Sequence, residues 1–315
     1  MLKKPKMFKE AEILRTPKNI IVQIIIFVVV FLIAAIGESL IALPKVNKEI
    51  MDYIKDNNIE LGSKDYYNAV NHLQLSDVAT IISLFATLFA TLLIIFYCRC
   101  VECRPVTSIG MRKKGGLKSY FCGLLIGFVL MSLITGSGYL VGALNAEHIT
   151  LNINYTIFFL YLGGFLFQGM SEEFIFRGYF MNTLGSFCNI YVAIGVSAVA
   201  FAAAHLLNPG MTPLAFINLA LFGAFASLVM IVTDNIWVVS GIHSMWNFTQ
   251  GNIYGISVSG TGSGECLIKS DMKEGMSLIN GGEFGIEGGL LTTLILTAGI
   301  VLVFIYNKKK NKDSD

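Results

Sequence analysis

Charge is what this sequence has least of. Asp, Glu, Lys and Arg make up 14% of its 315 residues, against 54% hydrophobic, and the mean hydropathy is +0.66. A soluble domain carries about 25% charged residues, so a chain of this size lacks the polar surface for a water-facing fold. Histidine is scarcer still: any chemistry that uses imidazole must draw on His72, His148, His205 or His243. The six cysteines form no secreted disulfide framework. Cys98, Cys100 and Cys103 cluster where the cytoplasmic end of an apolar run is expected, and thiols stay reduced there. They read more readily as small residues at a helix end than as a metal or lipidation site. A net charge of +2 gives no reason to expect a nucleic-acid partner. Three other protease signatures are missing too. There is no His-Glu-x-x-His, no serine nucleophile motif and no pair of buried aspartates, since Asp234 stands alone at the edge of an apolar run.

Long apolar runs are what the sequence has most of. Segments near 20–43, 78–98, 120–143, 155–181, 189–207, 213–233, 236–256 and 288–306 each approach the roughly 20 residues that a spanning helix needs. The first is too long for a signal-peptide core and is read as a retained helix. The expected fold is an all-α, multi-pass bundle of about eight transmembrane helices in the cell membrane, forming a single membrane domain over 1–315. With a cytoplasmic N-terminus, residues 1–19, 99–118 and 307–315 lie inside and hold 16 of the 23 Lys and Arg residues. The external loops 44–77 and 257–287 hold 6. That bias, and an even number of spans, place both termini in the cytoplasm. Residues 44–77 are expected as a polar external loop with room for a short helix, and 99–118 as a solvated basic loop. Residues 257–289 are glycine-rich, which suits irregular backbone, either a plain flexible loop or one folded back beside a cavity. Gly163, Gly164 and Gly169 would permit close helix packing.

Within the expected spans the charged and histidine side chains are Glu38, Glu172, Glu173, Arg177, His205 and His243. Such groups are expensive at bilayer depth and mark a functional site by default. Glu173 and Arg177 are four apart and can pair on a helix, which leaves Glu172 free. A carboxylate in low dielectric beside another is suited to general-base work. His243 and Asn247 share a helix face at the same spacing, and so do Phe201 and His205, whose ring would wall the site. Singly, each has a plain structural reading: a histidine bridging helices, an asparagine as packing glue, an acid–arginine pair. Glu-Glu, His and His-x-x-x-Asn on three helices are much harder to explain as packing. Together they can activate water and stabilise an oxyanion, which fits hydrolysis of a peptide bond inside the membrane. A transporter coupling site at Glu172, Glu173 and Arg177 is the weaker reading, because the first half of the chain has no counterpart of that motif.

The spacings Glu172-Glu173-x-x-x-Arg177, Phe201-x-x-x-His205 and His243-x-x-x-Asn247 resemble the three motifs of the CPBP family. This family comprises the CAAX-prenyl-protease-type (Rce1-like) and bacteriocin-processing intramembrane proteases, also called Abi. The resemblance covers roughly 155–256, which would be the catalytic core, and includes the tail Asn247-Phe248-Thr249-Gln250-Gly251. It implies an intramembrane endopeptidase acting on a membrane-embedded peptide or protein. Glu172 would activate water with help from His205, His243 and Asn247 would form the oxyanion hole, and Glu173 and Arg177 would orient Glu172. The family is catalogued among metalloproteases, so zinc is a candidate cofactor with Glu172, His205 and His243 as its three ligands; the same residues could also work without metal. A non-catalytic membrane scaffold or bacteriocin-immunity protein with the same fold is the alternative. Substrate identity and oligomeric state are not encoded in these motifs.

Overall fold

The structure, a computed structural model, describes residues 2–67 and 73–312. His72, part of the expected loop 44–77, and residues 313–315 of the basic tail lie outside the described residues. The described chain is predominantly helical. Its long helical segments are α1 (Ile20–Asp56), α2 (Asp77–Val101), α3 (Gly116–Leu140), α4 (Tyr155–Glu173), α5 (Ile190–Ala203), α6 (Pro213–Thr233), α7 (Ile236–Phe248) and α8 (Leu290–Lys312). Three of them widen into π turns: α2 over its last residues Tyr97–Val101, α4 through Phe174–Met181 and on to Asn182–Phe187, and α7 through Thr249–Ile253. Their N-termini follow from capping residues. The side chains of Asn19, Ser76, Asn154, Asn189, Thr212 and Asn235 each accept from a backbone N–H of the first turn, and Pro213 stands at the start of α6.

Five of these helices are long and apolar enough to cross a membrane: α1, α2, α3, α6 and α8. The other three, α4, α5 and α7, carry or adjoin the motif residues. Polar site residues and early helix ends take them below the threshold that length and composition set. The described chain is thus mostly helical with five candidate membrane spans, consistent with a polytopic all-α membrane protein.

The expected boundaries need correction in four places. First, α1 does not stop at residue 43 but runs through Pro44 to Asp56. The extension is held by a Lys45–Glu49 ion pair one turn apart (3.0 Å), and the Glu49 carboxylate accepts the backbone N–H of Ser76, the cap of α2 (3.0 Å). Glu38 therefore lies mid-helix rather than at a helix end. Second, α5 ends at Ala203, so His205 sits in the turn that follows. Third, the loop 99–118 is not uniformly solvated. Glu102 and Arg104 are fully buried as an ion pair of 2.7 Å, and Arg104 also donates to the Cys98 sulfur (3.1 Å). Cys98 is buried while Cys100 is exposed, and all six cysteines are free. Fourth, the chain is not helical throughout. Leu144–Ile149 (β1) and Ile268–Met272 (β2) form an antiparallel pair running from Leu144↔Met272 to Ile149↔Ile268, with a bulge between Ala146 and His148. His148 is thus a strand residue.

Glycines set the closest helix approaches. A Cβ on Gly123 of α3 would fall 2.1 Å from the Val238 carbonyl oxygen of α7, and one on Gly169 of α4 would fall 2.4 Å from the Ser244 nitrogen. The α3–α7 and α4–α7 contacts are therefore backbone against backbone, and this seats α7 deep among its neighbours. Gly163 and Gly164 instead meet side chains of α2: a Cβ on them would stand 3.1 Å from the Phe85 ring and 2.8 Å from Leu84 Cβ. At one end of the bundle four segments converge. Asp234, in a left-handed backbone conformation after α6, accepts from the Met7 N–H (3.0 Å) and from Arg112, and Arg112 also binds Glu10 (3.0 Å). Lys310 of α8 reaches the Val232 carbonyl at the same end (2.8 Å).

Candidate active site

Helix α4 brings two adjacent carboxylates into the bundle, and they face different surroundings. Glu173 is fully buried. Its Oε1 accepts from Arg177 (3.0 Å) and from Nδ1 of His243 (2.9 Å). Arg177 is equally buried, with its guanidinium 4.3 Å from the centre of the Phe201 ring, a cation–π contact in a dry setting. Among the described residues, Glu173 Oε2 and Arg177 Nε and Nη2 are buried without hydrogen-bond partners, so the pair is tied through Glu173 Oε1 and the Phe201 ring.

Glu172 keeps about a quarter of its side chain accessible. Its Oε1 accepts from Gln168 one turn earlier, and Oε2 has no hydrogen-bond partner among the protein's own groups. That oxygen faces two imidazole nitrogens, His243 Nε2 at 3.7 Å and His205 Nε2 at 4.0 Å. Both separations exceed a direct hydrogen bond and suit a bridging water. Buried polar atoms without partners are rare in folded proteins, and each calls for an explanation.

The two imidazoles are held by their other nitrogens. His205 Nδ1–H donates to the Phe201 carbonyl (2.9 Å), the last-turn carbonyl of α5, and its ring packs 4.9 Å from the Phe201 ring. His243 Nδ1–H donates to Glu173. Both Nε2 atoms therefore point toward Glu172, the tautomer choice following from these bonds. Asn247, one turn after His243, donates to the Gln168 oxygen (2.8 Å). Gln168 thus links Asn247 to Glu172.

All six residues singled out by sequence come together: Glu172, His205, His243 and Asn247 line one cavity of about 200 Å³, and Glu173 and Arg177 lie behind it. Glu38, half-buried on α1, lies within electrostatic range of Glu172. Sequence reasoning missed Gln168, although its place four residues before Glu172 is a helical-face signal. It also missed Glu287, which lines the cavity from the glycine-rich loop. Its only mark was being one of two acids, with Glu283, inside a glycine run.

Zinc ligands held tetrahedrally about 2.0–2.1 Å from the ion stand roughly 3.4 Å apart. The Glu172–imidazole separations are wider, and among the described residues no group of three His, Cys, Asp or Glu side chains is arranged to hold a metal. As placed, the donor set does not close on an ion.

Residues 154–249 match the family of Rce1-like type II CAAX prenyl endopeptidases. That stretch is similar to an Rce1-like domain. The match spans α4 to the π turn after α7 and so takes in all three motifs, which bears out the resemblance to CPBP intramembrane proteases. The Rce1-like family is one of intramembrane endopeptidases. Comparisons with curated proteins and with solved structures gave no match.

Proposed function

We propose that this chain is an intramembrane endopeptidase that hydrolyses a peptide bond of a membrane-associated peptide or protein. The observation that carries the reading is the partnerless Oε2 of Glu172, aimed at two fixed imidazole nitrogens across a small cavity inside an apolar bundle. In this reading Glu172 takes a proton from a water lodged between itself and His205, and the hydroxide attacks the scissile carbonyl. Glu172 then passes that proton to His205 Nε2, and His205 delivers it to the leaving amine as the C–N bond breaks. The amide of Asn247 donates to the oxyanion, joined by His243, held through Nδ1–H against Glu173 and steadied by Arg177, when its Nε2 also carries a proton. No step is routed through a metal. The same reading sets the chain in the cell membrane as eight spans with both termini cytoplasmic, and residues 155–256 as its catalytic core.

The test is processing of small membrane peptides by purified wild type and Glu172→Ala, each with and without a chelator. Glu172→Ala is expected to cut turnover at least a thousandfold at unchanged protein level, while chelator leaves the wild type active. Turnover retained by the variant would transfer the function to a non-catalytic scaffold or immunity role. Loss with chelator would instead require Glu172, His205 and His243 to rearrange around an ion.

A further inference from the structure

Glu287 is buried, yet it belongs to none of the motifs and lies beyond the matched domain. It stands in a single helical turn, Ile286–Gly288, at the end of the glycine-rich loop. Its Oε1 accepts from both the backbone N–H and the hydroxyl of Ser259, the latter at 2.6 Å, and Oε2 accepts from the indole of Trp246 (3.3 Å). Its own backbone carbonyl accepts from Asn218 of α6 (2.8 Å). With three donors on its two oxygens, the carboxylate is engaged as a hydrogen-bond acceptor that ties the loop together.

What it holds is a strained turn. Val258 and Thr261 exchange both backbone hydrogen bonds (3.0 and 2.9 Å), with Ser259 and Gly260 between them at φ +49° and +82°. Two consecutive left-handed residues make a tight primed turn, and at its first position a serine is disfavoured. The turn is gripped on every side. Asn208 donates to the Ser259 carbonyl (2.8 Å), and the Gly260 N–H donates to Phe284 (2.8 Å). A Cβ on Gly260 would stand 2.0 Å from the Pro209 oxygen. Asn208 in turn bonds back to the His205 carbonyl (3.0 Å). Val258, Ser259, Thr261 and Glu287 line the same cavity as Glu172 and His205. Strain retained at a cavity wall under this much restraint is a mark of function.

We propose that Glu287 is a positioning residue for the hydrolytic site: it pins the Ser259–Gly260 turn into the cavity wall, where the turn shapes the surface the substrate chain lies against. This rests on the endopeptidase reading, so one arm of the test is independent of turnover. Glutamine in place of Glu287 keeps the shape but turns an N–H toward the Trp246 or Ser259 donors.

The experiment uses the full chain in lipid nanodiscs and compares wild type, Glu287→Gln and Ser259→Ala. Hydrogen–deuterium exchange of peptides covering 256–264 is read beside that of α7, and steady-state kinetics are measured on a peptide the wild type cleaves. Glu287→Gln is expected to speed exchange at the turn at least tenfold with α7 unchanged, and to raise KM at least fivefold with kcat within about threefold. Ser259→Ala should shift both the same way but less, which keeps the test open if Glu287→Gln folds poorly. Unchanged exchange in the turn would overturn the proposal, as would an unchanged KM or a loss of activity no larger than the loss of folded protein. A wild type that cleaves nothing, with exchange still responding, would sink the endopeptidase reading while the pinned turn stood.

Discussion

One carboxylate, Glu173, organises the site without lining it. It accepts from Arg177 and His243 together, so the ion pair that satisfies it also fixes the imidazole that faces Glu172. Removing one partner of a buried pair leaves an uncompensated charge and costs about 3–5 kcal/mol, whereas replacing both by apolar groups is often neutral. Arg177→Met should therefore lower stability by about 3–5 kcal/mol, read as detergent-solubilised thermal unfolding. Arg177→Met combined with Glu173→Met should regain most of that stability but none of the peptide cleavage, because His243 Nδ1–H then has no acceptor. A double variant that cleaves at the wild-type rate would remove Glu173 from the site. The pairing of Glu173 with Arg177 was legible from their four-residue spacing. The bond from His243 was not, because it joins residues 70 apart in sequence.

At the scale of helices, positions of close approach matter more than hydropathy. Gly169 lets α4 lie against the backbone of α7, and that contact sets the separation of Glu172 from His243. Gly169→Val is expected to cost about 1–3 kcal/mol through overpacking. Its activity should fall further than the loss of folded protein explains, measured as cleavage per folded molecule. Gly195→Ala is the matched control: nothing stands within 4 Å of the added methyl on α5, so it should be neutral or gain up to about 1 kcal/mol of helix stability. Equal activity losses in the two variants would refute the packing account. Helix starts were readable, because caps are local hydrogen bonds of side chains to the next turn. Helix ends were not. The continuation of α1 past Pro44 depends on Ser76, 27 residues beyond Glu49. The β1–β2 pair joins segments over a hundred residues apart that no local alternation announces.

For the whole molecule, the segments expected in the cytoplasm do gather at one end: the N-terminal helix Lys6–Glu10, the Arg112 loop, Asp234 and the end of α8. A membrane-impermeant maleimide on single-cysteine variants should therefore label exposed Cys100 only from the cytoplasmic face and Glu147→Cys, on β1, only from outside. Labelling of both from one face would contradict the eight-span reading. The sequence alone determined the solvent, because 54% hydrophobic residues in long runs cannot be hidden in a water-soluble domain. It also determined the chemical vocabulary, because charges and histidines are so few in the apolar segments that each stands out. Tertiary structure decided how those groups meet. It left Glu172 part-accessible with Oε2 facing two imidazoles across the cavity, and buried Glu173 with Oε1 shared by Arg177 and His243, although the two are neighbours in sequence. It also brought Glu287 from the far loop into the same cavity. Those outcomes depend on which helices lie in contact and how closely, a property of the packed bundle that no local spacing encodes.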